Sequence, residues 1–384
     1  NPSTAWEPGS GVSIMGYAGV CSPSLANNSI PYMHGGNIFN ELIPFTQSGQ
    51  GSVCPVLTST GNAPPDVTVP PGGFVIPMST YFSLTGTATD PNNDPLTYSW
   101  EEIDIGPQGN PNAPSGNAPL FRPFSPVTNG TRLFPKLSDI LNNASTLGER
   151  LPNYSRDLTF RLSVRDNRAG GGGISYQDIA FQVTSTAGPF LVTAPNTAVT
   201  WSGNQTVTWD VANTTAAPVS CANVRILLST DGGNTWPTVL AASTANDGTE
   251  LVTLPSINTT TARVKIESVG NIFFDISNTD FIITPPIGIQ NLSGTPVKFG
   301  LSQNYPNPFN PVTLIQYGIP KRSNVSMNIY DVTGKLVSQL INNLTQTEGY
   351  YSVEFDATNL PSGVYYYSIT AGDFSETRKM ILIK

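Results

Sequence analysis

Along most of this chain, apolar residues recur at every second position in short runs, each bounded by Gly, Pro, Asn or Asp. Examples are Phe82–Ala88, Leu96–Trp100, Leu158–Val164, Asp178–Val183, Val207–Val211, Val224–Leu228, Ala262–Ile266 and Phe281–Ile283. A period of two places one face of an extended strand on a core and the other on solvent, so this pattern commits the chain to half-buried β-sheet. The composition agrees. Charged residues are only 11%, against about 25% in an average soluble protein. Gly (35) and Pro (34) supply turns, and few residues favour helix.

At 384 residues the chain exceeds one sandwich domain. Residues 1–56 are turn-rich with one helical candidate, Gly36–Phe45, where Ile38, Phe39, Leu42 and Ile43 share a face. Leu57–Pro65 reads as a linker. Two all-β units follow at 66–187 and 188–284, a second linker begins at Pro285-Pro286, and 297–384 forms a further β unit. Between Gly106 and Pro152 the first β unit carries a long Pro/Asn-rich excursion with a helical turn expected at Leu137–Leu141. A loop of that size points to docking or capping. The expected fold class is therefore mainly β, with sandwiches in tandem, a C-terminal sandwich and a small irregular α/β piece at the N-terminus.

Net charge is −8 with no basic stripe, which argues against nucleic acid as partner. No apolar run reaches the roughly 18 residues of a membrane-spanning helix. With no initiator Met and no leader pattern before Asn1, a processed N-terminus or a piece of a longer chain is expected.

Four C-terminal stretches occur in order: Asn304-Tyr-Pro-Asn-Pro-Phe-Asn-Pro311, Val325–Lys335, Asn359–Tyr365 and Lys379–Lys384. They resemble the type A sorting domain of the type IX secretion system. That resemblance implies handling by outer-membrane secretion machinery and a secreted or cell-surface destination, through the periplasm and outer membrane of a Gram-negative bacterium. It implies no reaction. The middle units resemble extracellular modules: the first, through Ala88–Trp100, a polycystic-kidney-disease or cadherin-like domain, and the second, more weakly, fibronectin type III and immunoglobulin-like folds.

Near the N-terminus, Ser13-Ile-Met-Gly-Tyr17, with Trp6–Gly11 and Ala18–Cys21 around it, resembles the methionine turn of a bacterial reprolysin-like metzincin peptidase. The resemblance implies that residues 1–56 are the end of a peptidase domain, Met15 the support beneath zinc, and Tyr17 a zinc or oxyanion tyrosine. It also shows what is missing. Metzincins bind zinc through H-E-x-x-H-x-x-G-x-x-H, and a single histidine, His34, cannot supply three ligands. His34 itself is expected at the surface. Zinc would belong only to an intact parent.

Asp90, Asn92, Asn93 and Asp94 gather hard oxygen donors in one loop, with Asp166 as an additional ligand, so Asp90, Asn92 and Asp94 are candidates for calcium. The other reading is an ordinary Asx-Pro turn. Cys21 and Cys54 are read either as a disulfide, contributing about 3–4 kcal/mol, or as two buried thiols, and Cys221 as a core residue. Ser229–Trp236 matches the Asp-box pattern and is read as a structural hairpin.

Two functions follow. The first is the accessory and secretion portion of a secreted zinc metalloendopeptidase acting on extracellular proteins, inactive as this chain alone because zinc ligands and a catalytic Glu are lacking. The alternative is a non-catalytic surface protein, exported by type IX secretion, whose β modules bind carbohydrate or protein.

Overall fold

The computed structural model describes residues 2–20, 22–53, 55–56, 58–255, 257–284, 289–292 and 294–384. The Cys21–Cys54 pairing and the Pro285-Pro286 linker fall outside these residues.

The first sandwich has one sheet ordered Val75–Pro77, Ile174–Thr184, Arg156–Arg165, Thr97–Glu102. Its inward face follows the alternation: Leu158, Phe160, Leu162 and Val164 are fully buried. The run expected as one strand from Phe82 to Ala88 is split into Tyr81–Thr85 and Thr87–Thr89. Gly86 is the break. Its N–H donates to the Gly130 carbonyl at 3.0 Å, and a Cβ there would lie 2.3 Å from Leu162. Phe82 centres an aromatic cluster, stacked on Phe134 at 4.7 Å and edge-on to Phe121, Phe160 and Phe181.

Phe121 comes from the long excursion, which is therefore anchored in the core. Glu102, buried, accepts the N–H groups of Leu120 (2.7 Å) and Phe121 (2.8 Å). Burial pushes its carboxyl up to about 8, against the pull of Arg156. The helical turn Leu137–Leu141 forms where expected and packs Ile140 on Phe274 and Ile276 of the second sandwich.

The two sandwiches share a sheet. Tyr81–Thr85 pairs antiparallel with Phe273–Ile276, Phe82 opposite Phe273, so an eight-stranded sheet crosses from one module into the other. A single hydrophobic core runs from Ile76 to Ile283. At the joint, Phe190 N donates to Thr80 Oγ1 (3.0 Å), Asn271 Nδ2 to the Val75 carbonyl (3.0 Å) and Val192 N to Asp275 Oδ2 (2.7 Å). Burial raises Asp275 to about 7, although Val192 and Ile276 N–H groups favour its charged form.

The N-terminal segment lies on the outer face of the first sandwich. Its helix runs Gly35–Asn37, Ile38–Leu42, Ile43–Gln47, the middle stretch wound as a π-helix just before Pro44, which lacks a backbone donor. His34 is not at the surface. It is 1% exposed and caps this helix, Nδ1 accepting the Gly36 N–H at 3.0 Å while Nε2 faces Glu101 at 3.8 Å.

The C-terminal unit has two four-stranded sheets and a core of its own, from Leu301 to Leu382, separate from that of the sandwiches. No helix among the described residues is long and apolar enough to cross a membrane.

Candidate functional site

The segment Ser13–Tyr17 forms a tight surface loop. Glu7 closes it, accepting N–H groups from Val12 (2.6 Å) and Ser13 (3.1 Å), and Tyr17 adopts φ +55°. Met15 is 46% and Tyr17 73% exposed, beside exposed Ile14 and Val20. His34 is not available to them as a ligand: its Nδ1 lone pair is used by Gly36, and its Nε2 is turned to Glu101.

Among the described residues the metal-ligating side chains that converge are Asp90, Asp94 and Asp166, with one oxygen of each within 4.8 Å of the others. Sequence spacing groups Asn92 with Asp90 and Asp94, and its Oδ1 accepts the Ala63 N–H at 2.8 Å. Asp166, expected as an additional ligand, follows the strand Arg156–Arg165 and lies with Asp90 and Asp94. Asp90 Oδ1 accepts N–H groups of Asn92 (2.8 Å) and Asp94 (2.9 Å), while its Oδ2 is buried without a partner. Asp166 accepts from Gly173 N (2.8 Å), Arg168 N (3.1 Å) and Asn62 Nδ2 (2.6 Å). Burial opposes its charge, but these donors outweigh burial and hold its carboxyl below the usual value. Arg168 Nη1 sits 3.3 Å from Asp94 Oδ2 as the cluster's internal counterion.

The Asp-box is structural. Asp231 accepts from Ser229 Oγ and from Thr235 N and Oγ1 (2.6–2.9 Å), which lowers its carboxyl to about 2. Trp236 packs beside Leu137, Leu141 and Phe274. Cys221 is a buried free thiol.

Glu101 escaped the sequence reading. It is buried at the junction of the N-terminal segment and the sheet, accepting from Gly35 N (2.8 Å), Ser163 Oγ (2.7 Å) and the Tyr32 hydroxyl. Burial, with the negative charge of Glu101 next, raises the Tyr32 phenol well above its ordinary range. The only sequence signal was two adjacent glutamates closing an apolar strand.

In the C-terminal unit the Pro/Asn motif latches onto the strand Phe374–Leu382. Asn304 is buried, its Nδ2 donating to Thr313 Oγ1 (3.0 Å) and the Pro306 carbonyl (3.1 Å). Asn307 Oδ1 accepts the Ile381 N–H at 2.9 Å. Phe309 enters the core and exchanges backbone bonds with Ile381 (3.0 Å) and Ile383 (2.9 Å). The prolines lie where no ladder donor is needed.

Residues 303–384 match the family described as secretion system C-terminal sorting domain. No curated protein matches the chain. Similar solved structures include the FN1–FN3 domains of chicken CNTN1, at 12% identity and TM-score 0.18, covering 84% of this chain and 99% of that one. A tetra-tandem repeat from the extending region of a large adhesion protein matches at 18% identity and TM-score 0.18, over 83% of this chain and 74% of that one. The Ig1-2 module of Drosophila receptor protein tyrosine phosphatase DLAR matches at 11% identity and TM-score 0.28, over 59% and 100%. The chain therefore carries a type IX secretion C-terminal sorting domain at residues 303–384 and is secreted or displayed at the cell surface.

Proposed function

We propose that this is a non-catalytic binding protein exported by type IX secretion, in which the N-terminal segment and both sandwiches form one rigid ligand-bearing body. The sheet shared between the sandwiches carries this reading, because it fixes the modules' relative orientation as display of a binding surface requires. The buried carboxylates support it. Glu101, Glu102 and Glu149 are spent on holding segments together. The test is retention of the purified chain on immobilised extracellular polysaccharide or matrix protein, run beside a casein-hydrolysis assay. Saturable retention without hydrolysis is expected; chelator-sensitive hydrolysis, or no retention on either support, would overturn the proposal.

One observation favours a second reading, the accessory portion of a zinc metalloendopeptidase acting on extracellular proteins. Ile14, Met15, Tyr17 and Val20 expose an apolar loop that a further domain could cover. Sequencing the coding region upstream of Asn1 discriminates: a histidine-rich zinc segment there supports the peptidase, an unrelated module the binding protein.

Calcium belongs to either reading. Asp90, Asp94 and Asp166 suit a hard cation, and the unpartnered Asp90 Oδ2 gives it an oxygen. The ion would displace Arg168 from Asp94. Saturating calcium should then stabilise the chain by roughly 2–3 kcal/mol, seen as a rise in melting temperature that Asp94→Asn abolishes. An unchanged melting temperature in wild type would leave the loop an Asx turn stapled by Arg168.

A further inference from the structure

A cleft of about 220 Å³ opens on the first sandwich between Tyr98–Trp100, Thr131–Leu137 and the excursion residues Phe124–Asn129. That is below the roughly 300–1,000 Å³ of drug-sized pockets, so it admits a single ring rather than a chain. Trp100 is fixed by its Nε1 donating to the Gly130 carbonyl at 3.0 Å. Tyr98, Phe124 and Val127 supply apolar faces, and Asn129 and Thr131 an amide and a hydroxyl.

Two cations line the same cleft. The Arg132 guanidinium is clamped between Phe124 (4.8 Å) and Phe134 (4.4 Å). Its Nη1 donates to the Trp100 carbonyl (2.7 Å) and its Nη2 to the Arg122 carbonyl and Glu149 (2.8 Å). Its Nε–H is buried, with no acceptor among the described residues. Lys136 is different. Its side chain is 37% exposed, and its ammonium has a 3.4 Å contact to Asp139, leaving donors for a ligand.

A neutral apolar ligand would leave the Lys136 ammonium without a ligand partner, and an acidic side chain alone would leave the aromatic wall uncovered. A pyranose carrying a carboxylate meets both demands, through C–H faces on the aromatic walls, hydroxyls at Asn129 and Thr131, and the anion toward the exposed Lys136 ammonium. We propose that this cleft binds a single hexuronate residue, the terminal acidic sugar of an extracellular polysaccharide. The proposal rests on the binding-protein reading and names its site and ligand class.

The test uses the full chain and titrates methyl β-D-glucuronide, methyl β-D-glucoside and N-acetylglutamate by calorimetry. Saturable glucuronide binding is expected, with the glucoside and N-acetylglutamate each at least about tenfold weaker. Lys136→Met should lose a similar factor, and Val127→Trp, which fills the cleft from a position 53% exposed, should abolish binding without disturbing the core. Equal affinity for either control ligand, affinity unchanged in Val127→Trp, or no glucuronide binding would each overturn the proposal. If the chain is retained on polysaccharide but Val127→Trp is retained equally well, the binding-protein reading stands and this site falls. If wild type is retained on neither polysaccharide nor matrix protein, the broader reading falls as well.

Discussion

Deleting residues 299–384 is expected to abolish delivery outside the cell while leaving the rest of the chain folded. The C-terminal core shares no residue with the core of the sandwiches, so its removal takes no side chain out of that core. The truncated protein should accumulate in the periplasm of a host with type IX secretion, its extracellular level falling to the background of the fractionation. Immunoblots of periplasmic, surface and medium fractions measure this, with circular dichroism of the truncated chain as the folding control. Undiminished surface or extracellular protein would show that this unit carries no address in this chain.

The second large effect should follow from Glu101→Ala. Glu101 is the one carboxylate onto which Tyr32, Gly35 and Ser163 converge, so its removal leaves buried donors on both sides of the junction unpaired. Breaking a buried charged network of this kind costs on the order of 3–5 kcal/mol. The loss should fall on the N-terminal segment, whose helix would lose hydrogen-exchange protection while Leu158–Val164 keeps it. Glu101→Gln, which retains an acceptor, should lose less, about 1–3 kcal/mol. Protection of residues 30–47 unchanged in the alanine variant would mean that Arg161–Asn40 and Arg165–Met33 contacts suffice to hold the segment.

The strands were legible because a period of two needs no tertiary information. Leu158, Phe160, Leu162 and Val164 alternate in sequence and are buried together. What lies between them was not. Arg161, Ser163 and Arg165 read as a solvent face, yet the N-terminal segment covers it, with the Arg161 guanidinium 5.6 Å from the Phe39 ring and that of Arg165 4.8 Å from Tyr32. His34 was misplaced for the same reason, since nothing local reveals that its helix starts against Glu101. The pairing of Phe82 with Phe273 was equally silent: apolar strand residues announce burial but not their partner.

The candidate sites divide in the same way. Asp90 and Asp94 are legible as neighbours in one loop, and Asp166, distant in sequence and named only as an additional ligand, is carried to them by the fold. The C-terminal motifs declared themselves as motifs. Their physical use, Asn304 and Asn307 bonding backbone and hydroxyl groups across the unit, became visible only in three dimensions.

The shared sheet also sets a clock on synthesis. A chain made from its N-terminus brings out Tyr81–Thr85 long before the strand that covers its open edge; Val75 and Asn271, bonded across the same joint, are 196 residues apart. Until then the first sandwich presents bare backbone donors and acceptors beside an aromatic core, a surface that invites pairing with the wrong strand. The nascent protein thus passes through a long interval in which its first module is folded but unsealed, and holdase chaperones would have most to do there.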